Sequence, residues 1–361
     1  MSIREITTGK SGAGVYEIDN SIIVKHIKRN TVDKEKYDTY SREALFYMSK
    51  TEAFKADSGN SDYCGYLPEI LCAYATDEEI VILMRKYAVL EKADILPFSY
   101  ETLDSIAYSL ALVHSDEIPE FLREEACHSA KVCDVKKSEN GLSDDEIKSC
   151  LDGWLSILDE HPGRFDKNIV LKAAENFKDI FIWHETEEKT LIHGDFHREN
   201  LLWSDFSYET ELSPIGLHTG ILLKSRNNHL KRDLSKIQSC RICDWQSVKI
   251  GGPSEDISFF FSRLRGEGMF AELQGETNPE QETKQEDSIL ESFLESYIRY
   301  RKALSGNPLN KLSLERKPLD LQTLKKHIAA SNFITTFRFW HYFLHGADEA
   351  TVENILNYLL M

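Results

Sequence analysis

Two short apolar runs, each stopping at an acidic residue, constrain this chain more than any other feature. Leu191-Ile192 runs into His193-Gly194-Asp195, and Ile242-Cys243 runs into Asp244, so both carboxylates stand just past the ends of predicted strands. Loops at strand ends, held by a rigid scaffold, are where functional side chains are presented. The 361 residues leave room for two lobes of ordinary size. With 41% hydrophobic and 29% charged residues, the composition lies far from that of chains that stay disordered. Lys and Arg number 43 against 60 Asp and Glu, a formal charge of −17, which opposes attraction to phosphate backbones or anionic lipid. We therefore expect no nucleic-acid and no membrane partner.

No run of about 18 apolar residues occurs, and MSIREITTGKSG has no basic segment followed by a hydrophobic one, so a cytoplasmic protein is expected. Seven scattered cysteines, Cys64, Cys72, Cys127, Cys133, Cys150, Cys240 and Cys243, read as reduced thiols.

The chain opens with predicted strands over 3–8, 15–18 and 21–27, and Asp19-Asn20 signals a tight hairpin between the last two. Tyr40, Glu43, Ala44, Tyr47 and Met48 recur at helical steps, and two more strands follow at 67–74 and 80–84. From Pro97 the pattern turns helical, with Ser99 as N-cap and Leu103, Ile106, Leu110 and Val113 on one face up to His114. A lobe boundary falls near 87–90, giving an N-terminal lobe of residues 1–87 and a C-terminal lobe of 88–361. Residues 116–190 read as mostly helical, and 204–240, 266–287 and 304–318 as polar surface loops, the first an insertion. Near the C-terminus Phe333, Phe337, Trp340 and Leu344 form a helical core stripe.

The segment LIHGDFHRENLLW sets Asp195 and Asn200 five positions apart after a strand, and RICDWQ carries Asp244 at the end of another. Phosphoryl transfer needs this set: a carboxylate to orient the acceptor hydroxyl, and an amide oxygen with a second carboxylate to hold magnesium on nucleotide phosphates. Between the first two strands, Gly9-Lys10-Ser11-Gly12-Ala13-Gly14 is a small-residue loop whose backbone N–H groups, at Ser11, Gly12 and Gly14, can approach phosphate oxygens. It lacks the Walker spacing and is also compatible with a plain flexible turn.

His193-Gly194-Asp195, Asn200, Asp244-Trp245-Gln246 and Asp256 within GGPSEDISFFF resemble the aminoglycoside phosphotransferase and choline kinase group of small-molecule kinases. The Asp-Trp-Gln form is most similar to its ecdysteroid kinase-like branch. The resemblance is specific between Leu191 and Phe261. It implies an α+β, two-lobed protein-kinase-like fold, with a small antiparallel-sheet lobe and a larger helical lobe. It also implies ATP, or alternatively GTP, with Mg2+ and a small-molecule acceptor. By the same resemblance Asp195 is the catalytic base, Asn200 and Asp244 are metal ligands, Asp256 ties the catalytic loop from a following helix, and His193 braces that loop. The phosphate-gripping lysine falls on Lys25, with Lys28 as the alternative register, and its glutamate on Glu43. The acceptor, an aminoglycoside, a choline-like amine or another metabolite, is expected on residues 116–190 and 266–345, with 266–287 as a lid.

Other features read more plainly. His114 suits the terminal carbonyls of its helix, Cys240 and Cys243 are structural thiols, and the basic cluster Lys224, Arg226, His229, Lys231, Arg232 and Lys236 is a solvated loop. Two rival functions are a nucleotide-binding regulatory protein that no longer catalyses, and a metal-dependent hydrolase built on His193, Asp195 and His197.

Overall fold

The structure, a computed structural model, describes residues 2–6, 14–58, 65–89, 95, 100–132, 142–203, 240–269, 279–305 and 319–360. In chain order the elements begin with β1 (Ile3–Glu5), β2 (Gly14–Ile18), β3 (Ile22–Lys28), α1 (Lys34–Ser58), β4 (Ile70–Ala75), β5 (Glu79–Arg85) and β6 (Ala88–Val89). Next come α2 (Tyr100–Ser115), α3 (Glu120–Val132), α4 (Asp144–Asp159), α5 (Asn168–His184), β7 (Thr190–Ile192), β8 (Leu201–Trp203), β9 (Cys240–Ile242) and β10 (Lys249–Gly251). The order ends with α6 (Pro253–Gly266), α7 (Pro279–Ser305), α8 (Leu321–Phe339) and α9 (Glu349–Leu356).

The first five strands form one antiparallel sheet in the order β1-β2-β3-β5-β4. The predicted hairpin is present. Asp19 and Asn20 take φ of 48° and 58°, the left-handed conformation that a two-residue turn matched to strand twist requires and that short polar side chains tolerate. Helix α1 starts where Asp33 Oδ1 accepts the Lys36 N–H at 2.8 Å, and it turns Tyr37, Tyr40, Ala44, Phe46 and Tyr47 inward. It packs on β4 and β5.

Two compact units divide the chain. The first comprises Met1–Pro119, Leu191–Lys249 and Arg263–Arg316. Besides the sheet and α1 it holds a small antiparallel ladder, β6-β8-β9, and α2 packed on α7. His114 is buried there, and its Nδ1 meets the Tyr297 hydroxyl at 2.7 Å.

The second unit comprises Glu120–Thr190, Ile250–Ser262 and Lys317–Met361. Its core gathers Trp154, Ile157, Phe177, Phe333, Phe337 and Leu344, with Trp340 partly buried against it, so the predicted aromatic stripe is core. The Trp154 indole N–H donates to the Phe337 carbonyl at 3.0 Å, satisfying the one polar atom that ring carries inside. Ser143 and Glu146 form a reciprocal capping box at the start of α4.

One sequence reading is overturned. The loop expected over 266–287 is helical from Pro279 onward, as part of α7. Glu, Gln and Lys are strong helix formers and proline is favoured in a first turn, so a polar run there starts a helix. Ser99, the insertion at 204–239, and residues 270–278 and 306–318 lie outside the described residues. Among the described residues no helix is long and apolar enough to cross a membrane.

Candidate active site

Lys25 stands mid-strand in β3, opposite Val15 of β2 and Ile82 of β5. Its face alternation places it with Ile23 and Ile27, on a side where a free charge would be costly. Its Nζ is 2.6 Å from Glu43 Oε2 and 2.8 Å from Asp244 Oδ1, the latter 219 positions away in sequence, and it lies over the Tyr40 ring. Burial works against the ammonium, but the two carboxylates more than offset it and hold the lysine above its ordinary value. Glu43 is 1% exposed, and burial pushes its carboxyl up to about 7 against the pull of Lys25. Lys28, the alternative, is exposed at the strand end. Lys25 is the lysine brought to the cluster.

Asp244 follows β9 with φ 63° and ψ 59°, a left-handed conformation that an L residue holds only when its surroundings impose it. The surroundings are the fully buried Trp245 ring, stacked on Phe46 at 4.3 Å and set against Tyr66 at 5.6 Å and His193 at 4.7 Å. Its indole N–H donates to the Ile242 carbonyl at 2.8 Å. Phe46 lies one helical turn beyond Glu43, so a single tryptophan couples the posture of Asp244 to the helix that carries the Lys25 partner. Sequence reasoning noted the Trp but missed Phe46 and Tyr66; the i, i+3 step from Glu43 to Phe46 was the available signal.

Asp195 sits on the turn after β7, beside Gly194 at φ 80°. A Cβ on Gly194 would lie 2.3 Å from the Ser247 carbonyl oxygen, so only glycine lets this turn close on the segment carrying Trp245. His193 is fully buried; its Nε2–H donates to the Cys243 carbonyl at 2.9 Å and its Nδ1 accepts the Asp195 N–H at 3.2 Å. With both nitrogens so engaged, it ties the turn to the Cys243 carbonyl and has no lone pair to offer a metal, which argues against the hydrolase arrangement.

The Asn200 amide nitrogen donates to the Asp195 carbonyl at 2.9 Å and faces His197 Nε2 at 3.2 Å. Among the described residues nothing donates to Asn200 Oδ1, which leaves a hard oxygen suited, like the Asp244 carboxylate, to Mg2+. Burial raises the Asp195 carboxyl, but His197 and Asn200 outweigh it and hold it below the ordinary aspartate value. Asn200 and Asp244 are neighbours because Asn200 immediately precedes β8 and Asp244 lies just beyond the end of β9. The two strands are antiparallel, with Leu201 opposite Ile242 and the Cys243 N–H bonded to the Asn200 carbonyl at 3.0 Å. Trp203 pairs with Cys240 at the opposite end of this ladder, where the insertion begins and ends.

Gly14 opens β2 opposite His26, where a Cβ would meet the Tyr16 ring at 2.9 Å, while Ser11 and Gly12 lie outside the described residues. Asp256 is buried on α6, in the second unit. Cys240 is buried and Cys243 half-buried; both are free thiols, pushed upward by burial.

No protein-family model and no curated protein sequence matches the chain. Among solved structures, it is similar to Plasmodium vivax ethanolamine kinase at 10% identity, covering 99% of this chain and 81% of that one, with a TM-score of 0.48. It is also similar to the GDP complex of aminoglycoside 2'-phosphotransferase-IIIa at 13% identity, covering 99% and 91%, with a TM-score of 0.45. A third is the streptomycin-ATP-APH(2")-IIa ternary complex, at 12% identity over 100% and 91%, with a TM-score of 0.46. The chain pairs an antiparallel N-terminal sheet and the helix carrying Glu43 with a mainly helical remainder, an α+β architecture.

Proposed function

We propose that this chain is a small-molecule kinase. It transfers the gamma-phosphoryl group of ATP, with GTP the alternative donor, to a hydroxyl of a small acceptor. The observation that carries this reading is the convergence of Lys25, Glu43 and Asp244 within 2.8 Å contacts, from three stretches far apart in sequence. In this reading Asp195, ionised at neutral pH, orients the hydroxyl and takes its proton as the new O–P bond forms and the bond to the leaving diphosphate breaks. Asn200 and Asp244 hold Mg2+, which when bound neutralises phosphate charge. Lys25, fixed by Glu43, grips the phosphates, and the Gly9–Gly14 loop with Ser11 and Gly12 covers them. His193 keeps the catalytic turn in place, and a role for Asp256 rests on the sequence resemblance alone.

Residues 1–87 form the nucleotide lobe in this proposal and 88–361 carry the acceptor, an aminoglycoside, a choline-like amine or another hydroxylated metabolite. Kinship with the ecdysteroid kinase-like branch belongs to the same proposal, on the strength of Asp244-Trp245-Gln246. The test is acceptor-dependent ADP release across hydroxylated metabolites and antibiotics, with Asp195→Asn as control. Turnover that vanishes in Asp195→Asn while the MgATP thermal shift persists supports the reading. A MgATP shift without Asp195-dependent turnover, even as slow hydrolysis, replaces it with the regulatory one.

A further inference from the structure

We propose that His184, Glu187 and His327 form a binding site for one zinc-class transition-metal ion in the second unit. The inference does not rest on the kinase reading, since it uses none of the residues around Lys25, Asp195 and Asp244. His184 ends α5, Glu187 stands three residues on in the following turn, and His327 projects from α8, its ring stacked on Trp183 at 4.2 Å. One donor atom from each lies within 4.8 Å of the other two, and His184 Nε2 is 3.8 Å from Glu187 Oε2. Zinc–ligand bonds near 2.0–2.1 Å place tetrahedral neighbours about 3.4 Å apart, so the set closes around an ion by movements of about an ångström.

All three side chains are buried, at 4%, 6% and 4% exposure, and His327 Nδ1 is enclosed with no hydrogen-bond partner among the described residues. A buried imidazole nitrogen without a partner is what a metal ligand looks like before it is loaded. The carboxylate is already aimed. Glu187 accepts the Ser254 N–H at 3.1 Å and the Ser254 hydroxyl at 2.5 Å, and it crowds Gly252, where a Cβ would fall 2.0 Å from Oε2. Such outer support fixes a ligand's direction in metal sites. His184 Nε2 also touches the Ser254 oxygen at 3.1 Å. When its lone pair turns to the metal, the ring proton resides on Nδ1, 4.0 Å from the Glu185 carboxylate, and Ser254 keeps its bond to Glu187. Two imidazoles with one carboxylate and a water favour zinc or cobalt over magnesium or calcium, which want oxygen alone.

The test uses the full chain stripped by chelator and titrated with Co2+, then Zn2+. We expect one Co2+ per chain with the visible absorption of a tetrahedral site, displaced by Zn2+. A hundredfold excess of Zn2+ over its Kd should raise Tm by roughly 3–5 °C, with no rise from Mg2+. His327→Gln, shown folded by circular dichroism, should bind at least about tenfold more weakly. Zinc X-ray absorption on the wild type should count two imidazole nitrogens. Absence of stoichiometric binding, undiminished affinity in folded His327→Gln, or fewer than two imidazoles overturns the proposal.

Discussion

The clusters around Lys25 and around His184 both bury polar groups, and they balance them differently. At Lys25 a permanent cation faces two carboxylates at 2.6 and 2.8 Å, so every buried charge has an opposite charge in contact. At His184 the buried acidic group, Glu187, is held by N–H and O–H dipoles of Ser254, and one imidazole nitrogen of His327 is left over. The difference teaches where fragility lies. Removing one member of a compensated ion set strands the others, whereas removing a group that lacks a partner strands nothing.

The sharpest way to break this contrast is Lys25→Met, which leaves Glu43 and Asp244 without their cation. We expect a loss of about 3–5 kcal/mol in urea unfolding, with part of it returned in Lys25→Met/Glu43→Gln. A cost below about 1 kcal/mol, the range of exposed pairs, would put the cluster in water. Asp195→Asn, in the same unit but outside the ion set, should cost roughly 10²–10⁴-fold in kcat and leave the unfolding midpoint nearly unchanged. On the other side, Gly252→Ala should lose about 1–3 kcal/mol, because its methyl displaces the Glu187 carboxylate from 2.0 Å away. His327→Phe, compared in chelator, keeps a ring on Trp183 and deletes the unpartnered nitrogen, so its stability should fall within about 1 kcal/mol of the parent. Smallest of all, Cys240 should resist alkylation in the native protein while exposed Cys72 reacts. Because burial lifts the Cys240 thiol, its rate should stay flat across neutral to mildly alkaline pH until unfolding.

Local signals located much of this. The Asp19-Asn20 turn, the helical step through Glu43 and Tyr47, and the acids ending two apolar runs all lie within a few residues of what makes them readable. The choice of Lys25 over Lys28 came from the resemblance, and Lys25 is the lysine in contact with Glu43. The polar run after 278 was misread because composition separates solvated helix from loop poorly. The insertion separates Asn200 from Asp244 in sequence. Yet an antiparallel ladder joins these two ends whatever length of chain leaves from Trp203 and returns at Cys240.

What the amino-acid order determined by itself was the set of short-range commitments: the hairpin, the helical step of α1, and the order of acids and amide that phosphoryl transfer needs. Only the tertiary structure decided that Trp245 seats Asp244 against Phe46, that Lys25 answers two carboxylates at once, and that His184 and Glu187 meet His327. Periodicity and capping act over a turn or two of chain. Charge compensation and close packing act through space, between segments whose separation in sequence carries no trace of their meeting.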